Sequence, residues 1–199
     1  MTSNVIGHDD QREAAASGAV TFRVTVEGSV SRSGMPLPPS LPRKITKRNL
    51  TASAVAKRII EFCVEHGDLV TNLKLQKLLY YMQAWHLALH SQPLFAEDFQ
   101  AGDSGPVEPG VFSEYKEFAG RAIAPTGAAM TSPRWLEKHI EEVMEVYGRF
   151  SAFDLERMTK DEDPWKVAKH SGQQGEDACP AITKDVMRKY YKSKLPDEP

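Results

Sequence analysis

Cysteine is scarce in this chain. The two residues present, Cys63 and Cys179, belong to no C-x-x-C pair, which excludes a zinc ribbon and a dithiol redox motif. Both are expected to be reduced, packed thiols. Long apolar runs are lacking as well. None approaches the roughly 18 residues that cross a bilayer, and the opening MTSNVIGHDDQREAAASGAV lacks the basic-then-apolar order of a signal peptide. The expectation is a soluble, cytoplasmic protein with no membrane partner. An excess of one charge is missing too: 25 basic residues meet 27 acidic ones, so composition makes no case for nucleic acid. The basic cluster Arg43, Lys44, Lys47 and Arg48 is short and has no domain motif around it.

Signatures of catalysis are absent: there is no G-x-S-x-G elbow, H-E-x-x-H, Walker loop or glycine-rich strand-to-helix turn. The reading is a non-enzyme with no cofactor and no metal. The six histidines offer two helical neighbourhoods, His139 with Glu142 and Glu65 with His66, but no repeated Glu-x-x-His set. These are read as solvated helix faces. A metal-dependent hydrolase using His86, His139 and nearby carboxylates is the weaker alternative.

Hydrophobic content of 41% with 26% charged residues is that of a globular protein, and 199 residues suffice for one domain plus an appendage. Residues 1–49 read as an N-terminal arm and linker, polar at first and then rich in Pro, Ser and basic groups. Inside it, Val20, Phe22, Val24 and Val26 alternate with polar residues, predicting one β-strand.

From Thr51 the period becomes helical. A first helix, capped by Thr51 or Ser53 and ended by Gly67, has Val55, Ile59, Phe62 and Cys63 on one face against Lys57, Arg58, Glu61 and Glu65. A second, LKLQKLLYYMQAWHLAL (73–89), is oily almost all round and so is expected among other helices. Residues 91–108 read as an irregular loop or small hairpin with a Gly105-Pro106 turn. Pro109 opens a short helix with Val111, Phe112, Tyr115 and Phe118 on one side, and residues 122–131 read as loop. Ser132-Pro133 opens the next helix, with Leu136, Ile140, Val143 and Tyr147 inside. Ser151 starts another with Phe153, Leu155 and Met158, one begins at Trp165, a polar loop follows, and Thr183 caps the last. The fold class is therefore mainly α: a single compact domain of about six helices over residues 50–195, with a C-terminal tail at 196–199.

Gln76, Gln83, Trp85 and His86 place polar tips on the oily second helix. An unpaired buried donor or acceptor costs about 1–3 kcal/mol. Neighbouring helices have already paired their backbone groups, whereas an irregular loop offers free ones. The tips are accordingly expected to clamp the 95–107 segment to the helix. Lys74 with Lys77, and Asp161, Glu162 and Asp163, read as solvent-facing charge, with partner docking as the alternative.

Taken in order, LKLQKLLYYMQAWHLAL, PLFAEDFQA, GPVEPGVFSEYKEF, a late L-x-x-M-T and DPWKVA resemble the Panacea domain, also called SocA-like or phage-associated GepA-like. The resemblance runs from about Thr51 to Tyr191. It implies a helical antitoxin that neutralises a cognate toxin, encoded next to it, by forming a complex. One branch of the family instead acts as a proteolytic adaptor that delivers its toxin to ClpXP. Oligomeric state stays open, a homo-oligomer included. The residues marked as partner-binding or loop-anchoring are Lys74, Gln76, Lys77, Tyr80, Tyr81, Gln83, Trp85, His86, Gly105, Pro106, Val107, Pro109, Asp163, Pro164 and Trp165. Three positions depart from the family pattern: Gly102 and Ser104 stand where aromatics or histidine are usual, and Lys160 where a histidine commonly follows the threonine.

Overall fold

The computed structural model describes residues 50–125, 131–172 and 179–196. The expected strand at 20–26 and the arm around it lie outside the described residues. So do 126–130 and 173–178, within two of the expected loops.

Among the described residues, seven α-helices and three short strands follow in the order α1 (Ala52–Glu65), α2 (Asn72–His90), β1 (Phe99–Gly102), β2 (Gly105–Val107), α3 (Pro109–Glu114), α4 (Arg134–Tyr147), α5 (Ala152–Asp161), α6 (Asp163–Gly172), β3 (Ala181–Ile182) and α7 (Lys184–Lys192). A 3-10 turn, Lys116–Phe118, follows α3. The expected mainly α class holds.

Helix starts follow from side-chain oxygens that accept the first free backbone N–H groups. Thr51, Thr71, Ser151 and Thr183 each accept from the N–H three residues on. Before α3, the Glu108 carboxylate accepts from Gly110 N and Val111 N. The start of α4 differs from expectation: Pro133, in extended conformation, is itself the cap, and Ser132 makes no capping bond. Helix α6 begins at Asp163, two residues earlier than expected.

Helix α2 is the axis of the molecule. It packs against α1, α4, α5 and α7 and carries β2 and α3 along another side. Every residue from Leu75 to Ala88 is buried, as expected of a helix set among other helices, while Leu73, Lys74, Leu89 and His90 at its ends are half-buried. Four helices and a hairpin surround its middle turns.

Strands β1 and β2 form an antiparallel hairpin, Gln100 opposite Val107 and Gly102 opposite Gly105. Strand β3, too short for any alternation to announce it, pairs antiparallel with β1 on the other edge.

Several residues sit on the other side of the surface from where periodicity put them. Arg58, expected on the polar face of α1, is buried and donates to Glu137 of α4 and Glu65. Phe153 and Phe112, expected inside, are 77% and 50% exposed. Cys63 is buried as expected, but Cys179 is exposed, lying outside the core in the stretch before β3.

Candidate partner-binding site

The hairpin and the segment leading into it rest on polar side chains of α2. Gln83 bonds both ways with the chain after the helix: its Oε1 accepts from Leu94 N at 2.7 Å and Phe95 N at 3.3 Å, and its Nε2 donates to Phe95 O at 2.9 Å. Two turns earlier on the same face, Gln76 Oε1 accepts from Glu108 N at 2.8 Å, while its Nε2 donates to Asn72 Oδ1. Asn72 Nδ2 in turn donates to Phe112 O, fixing α3. His86 Nδ1 lies 2.8 Å from Gln92 O. The glutamine bonds are buried, so each replaces one that water cannot supply.

Lys77 and Lys74 are not the solvent-facing pair expected. Lys77 is buried under the hairpin, where Nζ donates to Pro106 O at 2.8 Å, and desolvation pulls its pKa down to about 7. Lys74 reaches the other way, donating to Gly148 O at 2.7 Å beyond α4. Gly105 makes the tight approach over Lys77 possible. Its φ is +90°, and a Cβ there would stand 3.0 Å from Thr159 Oγ1 and 3.1 Å from Lys77 Nζ.

Trp165 of α6 clamps the hairpin from its other side, donating from Nε1 to Gly102 O at 3.0 Å. Two of the departures from the family pattern meet at this ring. Gly102 supplies the acceptor, and Lys160 places its Nζ 5.5 Å from the ring centroid.

Trp85 does not join the clamp. Its Nε1 donates to Tyr147 OH at 2.9 Å, and its ring packs edge-on against Tyr191, because it lies on the side of α2 that faces α4 and α7. Tyr81 stacks on Tyr147 at 3.8 Å, and Tyr80 packs edge-on against Phe99 of β1.

The acidic run divides. Asp161 and Asp163 are exposed, but Glu162 is fully buried at the α5–α6 joint, contrary to its reading as solvent-facing charge. Tyr81 OH donates to it at 3.0 Å and Tyr191 OH donates to its other oxygen. Burial raises this carboxyl to about 8, against the lowering by those hydroxyls, so it carries a proton at neutral pH. The extended backbone at Glu162 turns its side chain inward while Pro164, also buried, starts the next helix. The three acids in a row gave no signal of this.

His139 and Glu142 are likewise buried rather than solvated, because that face of α4 lies against α2; His139 Nε2 stands 2.9 Å from Met82 O.

What remains accessible is the outer side of this assembly: Asp103 and Ser104 at the hairpin tip, half-buried Val107, and Pro109, Gly110, Phe112 and Ser113 on α3. Such a surface, fixed from beneath and carrying an exposed aromatic, is suited to binding another protein.

Comparison with protein families matches residues 75–166 to the model described as Antitoxin SocA-like, Panacea domain. No curated protein and no solved structure gives a significant match.

Proposed function

We propose that this chain, whose residues 75–166 match the SocA-like Panacea family model, is the antitoxin of a toxin–antitoxin pair and neutralises its cognate toxin by binding it directly. The observation that supports this reading most is the hairpin and α3, held by Gln76, Lys77, Gln83 and Trp165 and presenting Val107, Pro109 and Phe112 outward. Buried candidates such as Tyr80, Tyr81 and Trp85 then act by shaping the support, and contact falls to the outer residues. Among the described residues no helix is long and apolar enough to cross a membrane.

Co-expression with the product of the neighbouring gene tests the proposal. That product should arrest growth alone and lose its effect when this chain is present. A product harmless by itself, or lethal in both cases, contradicts the proposal. Toxin half-life in the same cultures separates two outcomes: masking leaves the toxin stable, whereas delivery to ClpXP shortens its life only while the protease is active.

A further inference from the structure

The two outer edges of the small sheet differ in what they leave unpaired. Ala101 N donates to Pro180 O at 2.8 Å, so Ala101 faces β3, while its neighbours Gln100 and Gly102 face Val107 and Gly105 of β2. Between those two, Pro106 turns its backbone outward. Proline has no N–H to offer, and its carbonyl already accepts from Lys77 Nζ. The β2 edge is closed to a further strand.

The β3 edge is open. Bonded residues alternate along an antiparallel ladder, so with Phe99 opposite Ile182 and Ala101 bonded to Pro180, the N–H and C=O of Ala181 point away from β1. Neither has a hydrogen-bond partner among the described residues. Cys179, Ala181 and Thr183 are exposed, whereas Pro180 is half-buried and Ile182 buried, so this edge has one side toward the core and one toward solvent. Such an edge is a template for another chain segment.

The sequence contains a segment with the matching alternation. Val20, Phe22, Val24 and Val26 alternate with Thr21, Arg23 and Thr25, and a lone strand of this kind is not stable in water. Residues 28–49 join it to Leu50, which bridges Phe95, four residues before Phe99 of β1. That connection puts the open edge within about 25 Å of Leu50, against a reach of up to about 75 Å for the joining residues. Tethering favours this strand over one on a separate chain, because it raises the effective concentration at the edge.

We propose that residues 20–26 add to the free side of β3 as a fourth strand, with Val20, Phe22, Val24 and Val26 on the side of Ile182. Thr21, Arg23 and Thr25 then lie on the solvent side with Ala181. The added strand supplies the partners that Ala181 N and O lack, removes its own apolar side from water, and closes the edge to other chains. It lies across the sheet from the Lys77 support and stands independently of the toxin-binding reading.

The test uses the full chain and amide exchange resolved residue by residue. Ala181 N–H should exchange at least about tenfold more slowly in the wild type than in Val24→Pro, the scale of one lost hydrogen bond. A second set of variants reads the face. Under mild oxidation, one or more of Thr21→Cys, Arg23→Cys and Thr25→Cys should form an intramolecular disulfide with the exposed Cys179, whereas Val24→Cys, on the opposite side, should not. Equal exchange of Ala181 in wild type and Val24→Pro, or no disulfide with any of the three, overturns the proposal. A disulfide that joins two chains would assign the edge to a second copy. Protection of Ala181 only after adding the neighbouring gene's product would assign it to that partner, and either result overturns the proposal as well.

Discussion

Gln83 and Phe95 bond to each other at both ends of one side-chain amide, Nε2 donating to Phe95 O at 2.9 Å and Oε1 accepting from Phe95 N at 3.3 Å. The pairing is possible because the chain after α2 runs back along the helix outside any helix or regular strand, with Phe95 also in an isolated bridge to Leu50. Gln83→Ala should therefore leave Leu94 N, Phe95 N and Phe95 O unsatisfied. At about 1–3 kcal/mol for each group that finds no water, chemical denaturation should show a loss of at least about 2 kcal/mol. Amide exchange at Leu94 and Phe95 should accelerate more than at α1. Unchanged stability would show that water reaches these groups.

Gly105→Ala should loosen the hairpin. The backbone there is left-handed, and the added methyl meets Thr159 and Lys77 at 3.0–3.1 Å. The cost of about 1–3 kcal/mol follows from placing a Cβ in that conformation. The drop should appear in thermal melts, together with faster exchange of β1 and β2. Equal melting of variant and wild type would contradict the clamp as described.

Trp85→Ala removes a fully buried ring and the donor to Tyr147 OH. A loss of about 3–5 kcal/mol is expected, a large share of the stability of an ordinary domain. A melting temperature equal to that of the wild type contradicts this.

Glu162 makes stability depend on pH in a definite direction. Its carboxyl titrates near the ordinary 4.5 when unfolded and at about 8 when folded, so between these values the native state holds a proton that the unfolded chain has released. Its contribution is complete below the unfolded value and is lost as pH rises through 8. The buried histidines change stability in the opposite sense at lower pH, so the clean measurement is the difference between wild type and Glu162→Gln. Relative to the variant, the wild type should weaken steadily from about pH 5 to pH 8. Parallel pH profiles would show that Glu162 is ionised in the fold.

Some of this was legible in the sequence. Oily residues all round Leu73–Leu89 identified α2 as central, and its glutamines identified contact with free backbone, because amides are not spent inside a purely apolar interface. Ser151 and Thr183 cap the helices they were expected to open, and Thr51, one of two candidates, caps α1. What stayed hidden was the fate of charges. Lys77, Glu162 and Arg58 look like solvated groups because period alone places them on polar faces. Their burial depends on Pro106 O, two tyrosine hydroxyls and Glu137, each far away in the chain. Phe112 and Phe153 show the converse: a face that completes a helical stripe is exposed when no element packs over it.

Phe112→Ser should separate folding from binding. The side chain is half exposed, so the melting temperature should change little, whereas removal of an exposed aromatic from a contact surface should weaken toxin binding by at least about tenfold. Equal affinity of the two proteins would remove α3 from the contact surface.

The most direct measurement is hydrogen–deuterium exchange of the full chain with and without the purified product of the neighbouring gene. Slowed exchange concentrated in residues 103–113, at the hairpin tip and α3, is the predicted result. A stable complex that protects only other parts of the chain, or no complex at all, would contradict a docking surface built on the clamped hairpin.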